Sequence, residues 1–201
     1  MTPGPAQSLD DGRVVRGLRN REALVEAIIT LNEEGVLRPS AAEIAERAGV
    51  SLRSVYRHFE DMAGLHEAAA ERQLERIAPL IVEVPPDGPL AARIEAFVDH
   101  RARLLETNIP VRRAADLREP FFPELRRVLD GGRRMLRDQV ETTFAPEIDA
   151  LRGADRDAAR RAADLAASYE AWEFLRVYQG ASFDEASAVM ARSLRAALAA
   201  D

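Results

Sequence analysis

The chain has 201 residues, 47% of them apolar and 31% charged, with a net charge of −6. Those proportions suit a globular protein and exclude collagen-like and largely disordered classes. With no cysteine in the chain, disulfide frameworks, thiolate catalysis and cysteine-based metal sites are excluded as well.

Ala, Leu, Arg and Glu make up over half of the chain, against 27 residues of Val, Ile and Thr combined. The first group are strong helix formers and the second favour strands, so an all-α fold is expected. The three histidines, His58, His66 and His100, lie too far apart in sequence for a short metal motif. No metal and no cofactor is expected. No apolar run approaches the length that crosses a bilayer. The opening MTPGPAQSLDDG lacks the basic-then-apolar order of a signal peptide. These features predict a cytoplasmic protein with no membrane partner.

In chain order, residues 1–12 are rich in Pro, Gly and Asp and are expected to form a disordered arm. From about Arg21, the positions Leu24, Ala27, Ile28 and Leu31 have helical spacing, and Gly35 ends that helix. Ser40 and Glu43 have capping-box spacing at the start of a second helix, which stops at Gly49. Ser51 is the expected N-cap of a third helix, from about Leu52 to Phe59. Asp61 caps a fourth that ends near Ile81.

The run Val84-Pro85-Pro86-Asp87-Gly88-Pro89 is the clearest break, because prolines cannot sit inside a helix without cost. Helical patterns follow at about 90–107, 111–118, 122–144, 156–179 and 183–199, with Asp155 and Ser182 as expected N-caps. The expected organisation is an arm (1–12), a first domain with its connecting fourth helix (13–82) and a helical body (83–201).

Charge is uneven along this acidic chain. All 28 basic residues are arginine. Residues 12–21 (GRVVRGLRNR) and 47–58 (RAGVSLRSVYRH) hold arginines and no acid.

The second island lies within AAEIAERAGVSLRSVYRHF, residues 41–59. Its apolar positions are Ile44, Ala48, Val50 and Val55, with small Ala45 fifth and Gly49 ninth. Two short helices that cross steeply need a small residue where their backbones approach, and the turn needs a glycine at positive φ. This spacing describes a helix-turn-helix, whose second helix enters the major groove of DNA. At about 100° per residue, Val55 and Phe59 fall on the buried arc of that helix. Arg53 and Arg57 point away, with Ser54 beside them, and Tyr56 and His58 flank them. Arginine suits guanine O6 and N7, while hydroxyls and histidine suit phosphate oxygens.

IAERAGVS followed by SVYRHF resembles the DNA-binding signature of the TetR/AcrR transcriptional regulators, closely over Arg21 to about Leu65. The resemblance implies a three-helix DNA-binding domain, a connecting helix and a C-terminal body that binds a small molecule and dimerises through its last two long helices. It places DNA contacts on Ser40, on Ser51, Leu52, Arg53 and Ser54, and on Tyr56 and His58. With Arg57 from the helical wheel, these are the candidate DNA-binding residues. Glu60-Asp61-Met62 stands where the family commonly has Pro-Ser-Lys, Asn32 where an aromatic is usual, and Gly64 lies in the fourth helix.

In the body, Ala158, Ala162, Leu165, Tyr169 and Trp172 make one stripe, and Phe183, Ala186, Met190, Leu194 and Ala197 another. Alternating small and large residues allow close helix packing. The resemblance turns these stripes into a two-fold interface through Leu165, Tyr169, Phe183, Met190 and Leu194. Phe97, His100, Leu104, Met135, Tyr169 and Trp172 are the candidate lining of an effector pocket.

No enzyme is expected. There is no strand-turn-helix nucleophile, no glycine-rich phosphate loop and no Glu-x-x-His pair. The expected function is a homodimeric regulator of transcription, a repressor released from a palindromic DNA operator by a small-molecule effector. The alternative is a helical interaction protein whose helix-turn-helix does not bind DNA.

Overall fold

The computed structural model describes residues 5–199, with side chains from residue 14 onward. Among these residues the fold is all-α, without a strand. The helices are α1 (Pro5–Glu33), α2 (Ala41–Arg47), α3 (Leu52–His58), α4 (Met62–Ile77), α5 (Leu90–Asp116), α6 (Pro123–Thr143), α7 (Ala145–Ala150), α8 (Gly153–Ala166), α9 (Tyr169–Glu173) and α10 (Phe183–Leu198). A π-helical turn, Phe174–Tyr178, continues α9.

Two compact units divide the chain: residues 1–74 with 110–128, and residues 75–109 with 129–201. The core of the first unit holds Leu24, Ala27, Ile28 and Leu31 of α1, Ile44 and Ala45 of α2, Val55 and Phe59 around α3, and Leu65, Ala68 and Ala69 of α4. Val111 joins them. Residues 110–128 group with the N-terminal unit.

The second core gathers Ile94, Phe97, Val98, Leu104 and Leu105 of α5, Val140 of α6, Ile148 of α7, Ala163 of α8, Tyr169 and Trp172 of α9, and Ala186, Met190, Leu194 and Leu198 of α10. Helices α8 and α10 pack along each other. The connector after α4 is attached to this unit at three points. Gln139 Nε2 donates to the Val82 carbonyl at 2.6 Å, Val84 is buried, and Arg93 Nε donates to the Gly88 carbonyl at 3.2 Å. Arg93 also donates to the Thr143 carbonyl at 2.8 Å and grips both carboxylate oxygens of Glu147.

Several expected boundaries move. Helix α1 begins at Pro5, so most of the expected arm is helical, and residues 1–4 lie outside the described residues. Proline costs nothing at a first helical position, and none follows it before Pro39. The fourth helix ends at Ile77 and passes into a short 3-10 turn, Ala78–Leu80, containing Pro79. The patterns at 90–107 and 111–118 form one helix, α5, with Pro110 inside it. The pattern at 156–179 breaks instead at Ala167. There Ser168 accepts from the Ala171 amide at 3.1 Å and starts α9. The N-cap of α8 is Arg152, with Asp155 inside the first turn.

Candidate nucleic-acid interface

Helix α2 starts on a complete capping box. The Glu43 amide donates to Ser40 Oγ at 3.2 Å, and the Ser40 amide donates to Glu43 Oε2 at 2.8 Å. The helix closes with a Schellman turn, in which the Val50 amide bonds Ala45 O and the Gly49 amide bonds Glu46 O. Gly49 has φ +66°, as its ninth position required. No atom lies within 4 Å of a Cβ built on Gly49, so the cost of Gly49→Ala is that of the backbone alone, about 1–2 kcal/mol. Urea unfolding should show that loss. A loss below about half a kcal/mol would mean that the turn relaxes away from positive φ.

The turn delivers α3 with Val55 and Phe59 buried and with Leu52, Arg53, Tyr56 and Arg57 exposed. Arg53 has no ion-pair or hydrogen-bond partner among the described residues. His58 is half-buried, with Nε2 3.3 Å from Arg57 Nη2. Burial, followed by the charges of Arg57 and Arg21, lowers its pKa from the ordinary value, so the imidazole is neutral near pH 7. Ser40 is exposed at the start of α2, with its hydroxyl already engaged by Glu43.

Ser54 departs from expectation. It is 8% exposed, and its Oγ lies 3.0 Å from Ser51 Oγ. Its place at the edge of the buried arc turns it toward Ser51 rather than outward. That contact also occupies Ser51, which holds the N-cap position of α3 without a side-chain cap bond. The outward set is therefore Leu52, Arg53, Tyr56 and Arg57, with His58 and Ser51 at its margins. At the start of α4, Asp61 Oδ1 accepts from the Gly64 amide at 3.0 Å, so the Asp61 cap expected from the sequence is formed.

Helix α1 reaches this surface as well. Arg21 places its guanidinium 5.0 Å over the Phe59 ring, and a Cβ on Gly17 would lie 3.8 Å from His58 Cε1. The basic composition of residues 12–21 was visible in the sequence; that the segment lies beside α3 was not.

In the second unit, Phe97, Leu104, Tyr169 and Trp172 are core residues, not the lining of an open pocket. Phe97 meets Phe144 edge-on at 5.2 Å, and Trp172 meets Phe183 in the same manner at 5.6 Å. His100 and Met135 are half-buried. A cleft of about 420 Å³ lies elsewhere, lined by Arg137, Arg160, Arg161, Asp164, Leu165, Ser168 and Glu170. The residues expected at a two-fold interface are placed as follows. Tyr169, Met190 and Leu194 are buried within their own unit and Phe183 is half-buried, while Leu165 is 65% exposed. The face of α8 turned into the core is Ala159 and Ala163, one residue out of step with the expected Ala158 and Ala162. The exposed apolar side chains of this unit include Phe174, Val177, Tyr178 and Val189. No helix of the described residues is long and apolar enough to cross a membrane.

Three solved structures share the fold. A tetR-family transcriptional regulator from Streptomyces coelicolor aligns with a TM-score of 0.65 and 21% identity, covering 88% of this chain and 80% of its own. A transcriptional regulator from Rhodococcus sp. Rha1 gives 0.65 and 17%, over 90% and 95%. NalD of Pseudomonas aeruginosa, described as the secondary repressor of the MexAB-OprM multidrug efflux pump, gives 0.52 and 22%, over 92% and 99%. In sequence, the HTH-type transcriptional regulator Rv2912c of Mycobacterium tuberculosis is 43% identical over 70 residues, 33% of this chain and 36% of its own length. The HTH-type transcriptional regulator BetI of Klebsiella pneumoniae is 30% identical over 84 residues, 40% of this chain and 43% of its own. These sequence matches span well under half of each relative. Residues 23–69 match the family described as "Bacterial regulatory proteins, tetR family". That match covers α2, the Gly49 turn and α3, and it is over this segment that the chain is similar to the tetR family.

Proposed function

We propose that the chain is a cytoplasmic, homodimeric transcriptional repressor that reads a palindromic DNA operator with α3 and is released by a small-molecule effector bound in its second unit. The observation that carries this reading is the exposed face of α3, where Arg53 and Arg57 project from a glycine-closed helix-turn-helix. Net charge is −6, yet this face is basic, which suits a specific contact with a polyanion better than general adhesion. Exposed Leu165, Phe174, Tyr178 and Val189 support a dimer, since an apolar surface of that kind is covered in most soluble proteins. Two reading helices must span successive major grooves about 34–36 Å apart. An effector that favours a different head separation would release the operator by that preference alone.

Selection of bound sites from random DNA, with sizing of the purified protein, tests the reading. Enrichment of a palindrome by a dimer is expected. A monomer that enriches nothing would leave the helical interaction protein as the better account.

Within this reading, Arg53 and His58 should behave differently. Arg53 stands in the first turn of α3, where side chains reach base edges. Arg53→Ala should cost about 1–3 kcal/mol and relax preference at one base pair per half-site. His58→Ala should weaken all sites about equally. Its salt slope should fall only if the imidazole is protonated in the complex, since only a charged group displaces a condensed counterion. Titration against single-base operator variants separates the two. Uniform loss for Arg53→Ala would move base reading to Leu52 or Arg57.

A further inference from the structure

Arg101 of α5 is a buried cation whose bonded partners are all neutral. It is 1% exposed, and a guanidinium taken out of water is costly unless a negative charge meets it. Nη1 donates to the Ala167 carbonyl at 2.7 Å, and Nη2 to the Leu136 carbonyl at 2.8 Å and to Gln139 Oε1 at 2.6 Å. Nε is buried with no hydrogen-bond partner among the described residues. The Phe97 ring, 4.8 Å from the guanidinium carbon, offsets the cost only in part. Burial lowers the pKa from 12.5 to about 9, against the opposing charge of Asp164. The group is therefore a cation at neutral pH.

The residues that Arg101 holds lead directly into the cleft of α6, α8 and the start of α9. Leu136 and Ala167 precede Arg137 and Ser168 of its lining, and Asp164 belongs to the same lining. The buried charge thus lies behind the wall of that cleft, where it is screened far less than in water. In front, most of the charges are matched. Arg137 holds Asp164 at 2.9 Å, Arg160 holds Glu141 at 3.0 Å, and Arg133 lies 3.6 Å from Glu170. Arg161 is left over, exposed and without an ion-pair or hydrogen-bond partner among the described residues. Leu165 adds an exposed apolar side chain to the same lining.

The cleft volume of about 420 Å³ is that of a small-molecule site. Two cations without counter-ions call for an anion, and a guanidinium meets a carboxylate through two parallel bonds. Asp164 and Glu170 would repel a polyanion, while Leu165 suits an apolar body attached to the charge. We propose that this cleft binds small organic monocarboxylates. Arg161 pairs the carboxylate, Leu165 packs on the apolar part, and Arg101 attracts the charge from behind the wall. The inference names the chemistry of the effector in the reading above, and its regulatory part rests on that reading.

The test titrates the full chain by calorimetry with benzoate, octanoate and indole-3-acetate, each against its neutral amide, and with inorganic phosphate. At least one acid should bind about tenfold more tightly than its amide, as expected for one charged hydrogen-bonded pair. Arg161→Gln should remove that preference, and Arg161→Lys should keep part of it. Arg192→Gln, at an exposed arginine of α10 outside the lining, should leave it intact. Binding by none of the acids would overturn the inference, as would equal affinity for acid and amide. Full preference in Arg161→Gln would overturn it too. So would an equal loss in Arg192→Gln, which would mark attraction to the general surface, or phosphate binding as tight as the best acid. The acid that binds should also release the selected operator. Binding without release would support the site and overturn its effector role. Release by an uncharged compound alone would keep the effector reading and overturn this inference.

Discussion

Trp172→Ala should cost about 3–5 kcal/mol, among the larger losses available to one side chain in this protein. Trp172 is the chain's only tryptophan and is 1% exposed, with its ring against Phe183 and its Nε1 donating to Glu106 Oε2 at 2.9 Å. Alanine leaves a cavity that helices α5, α9 and α10 cannot fill without moving together. In a chain of this size the loss corresponds to a melting temperature lower by about 10 °C. Circular dichroism is the suitable probe, because the variant lacks the indole that fluorescence would follow. Trp172→Phe keeps most of the packing, and Glu106 still holds Arg176 by two bonds of 2.9 and 2.6 Å, so that variant should lose distinctly less. A loss below about 1 kcal/mol for alanine would mean that Trp172 borders open space and would return it to the candidate effector pocket.

The second large effect is a dependence of stability on pH that originates at His66. This residue of α4 is 9% exposed, with its ring 6.1 Å from that of Phe122. Burial, and then the charge of Arg118, lowers its pKa from 6.5 to about 3. The folded protein therefore keeps the imidazole neutral while the unfolded chain takes up a proton below about 6.5. More protons are bound by the unfolded state in that range, so stability must fall as pH falls. The contribution is complete above pH 6.5 and is lost progressively toward pH 3, with a limiting slope of about 1.4 kcal/mol per pH unit. Glu34, Glu43, Glu106 and Glu185, whose pKa values are lowered from 4.5, add their own losses only in more acidic solution. The interval from pH 6.5 to 5 thus isolates the histidines. Urea midpoints for wild type should drop across it, and His66→Gln should flatten the drop whatever that substitution costs at pH 7. Parallel curves for the two proteins would place the acid sensitivity elsewhere.

Much of the first unit was legible because its signals are local. Ser40 with Glu43, and Ser182 with Glu185, form the capping boxes that their spacing announces. Gly49 takes the conformation that only a turn would ask of it. The buried arc of α3 follows from period alone, and Ser54 failed only because it lies at the edge of that arc, where a neighbouring hydroxyl decides its direction. The second unit was less legible because its organising contacts are distant in sequence. Arg176 holds Glu106 across 70 residues, and Arg101, 1% exposed, donates to Ala167 O across 66. No periodicity reports such pairings. The break at Ser168 was ambiguous for another reason, since a serine inside an apolar pattern either faces solvent or begins a new helix. Once the helix stops there, residues before and after the break no longer share a face. Leu165 therefore points outward while Tyr169 and Trp172 point in.

The segment from Val82 to Gly88 has the composition of a joint, yet it is fastened like a strut. Its first carbonyl is held by Gln139 and its last by Arg93, with Val84 sunk between them. Gln139 in turn accepts from Arg101, whose other donors reach Leu136 O and Ala167 O. A pull on the connector would therefore not be absorbed by loose turns. It would pass as tension through two amide contacts and a buried guanidinium to the end of α8, and through Arg93 to the corner between α6 and α7. Pro85 and Pro86 make the strut stiff, and the two side-chain anchors decide where the force arrives.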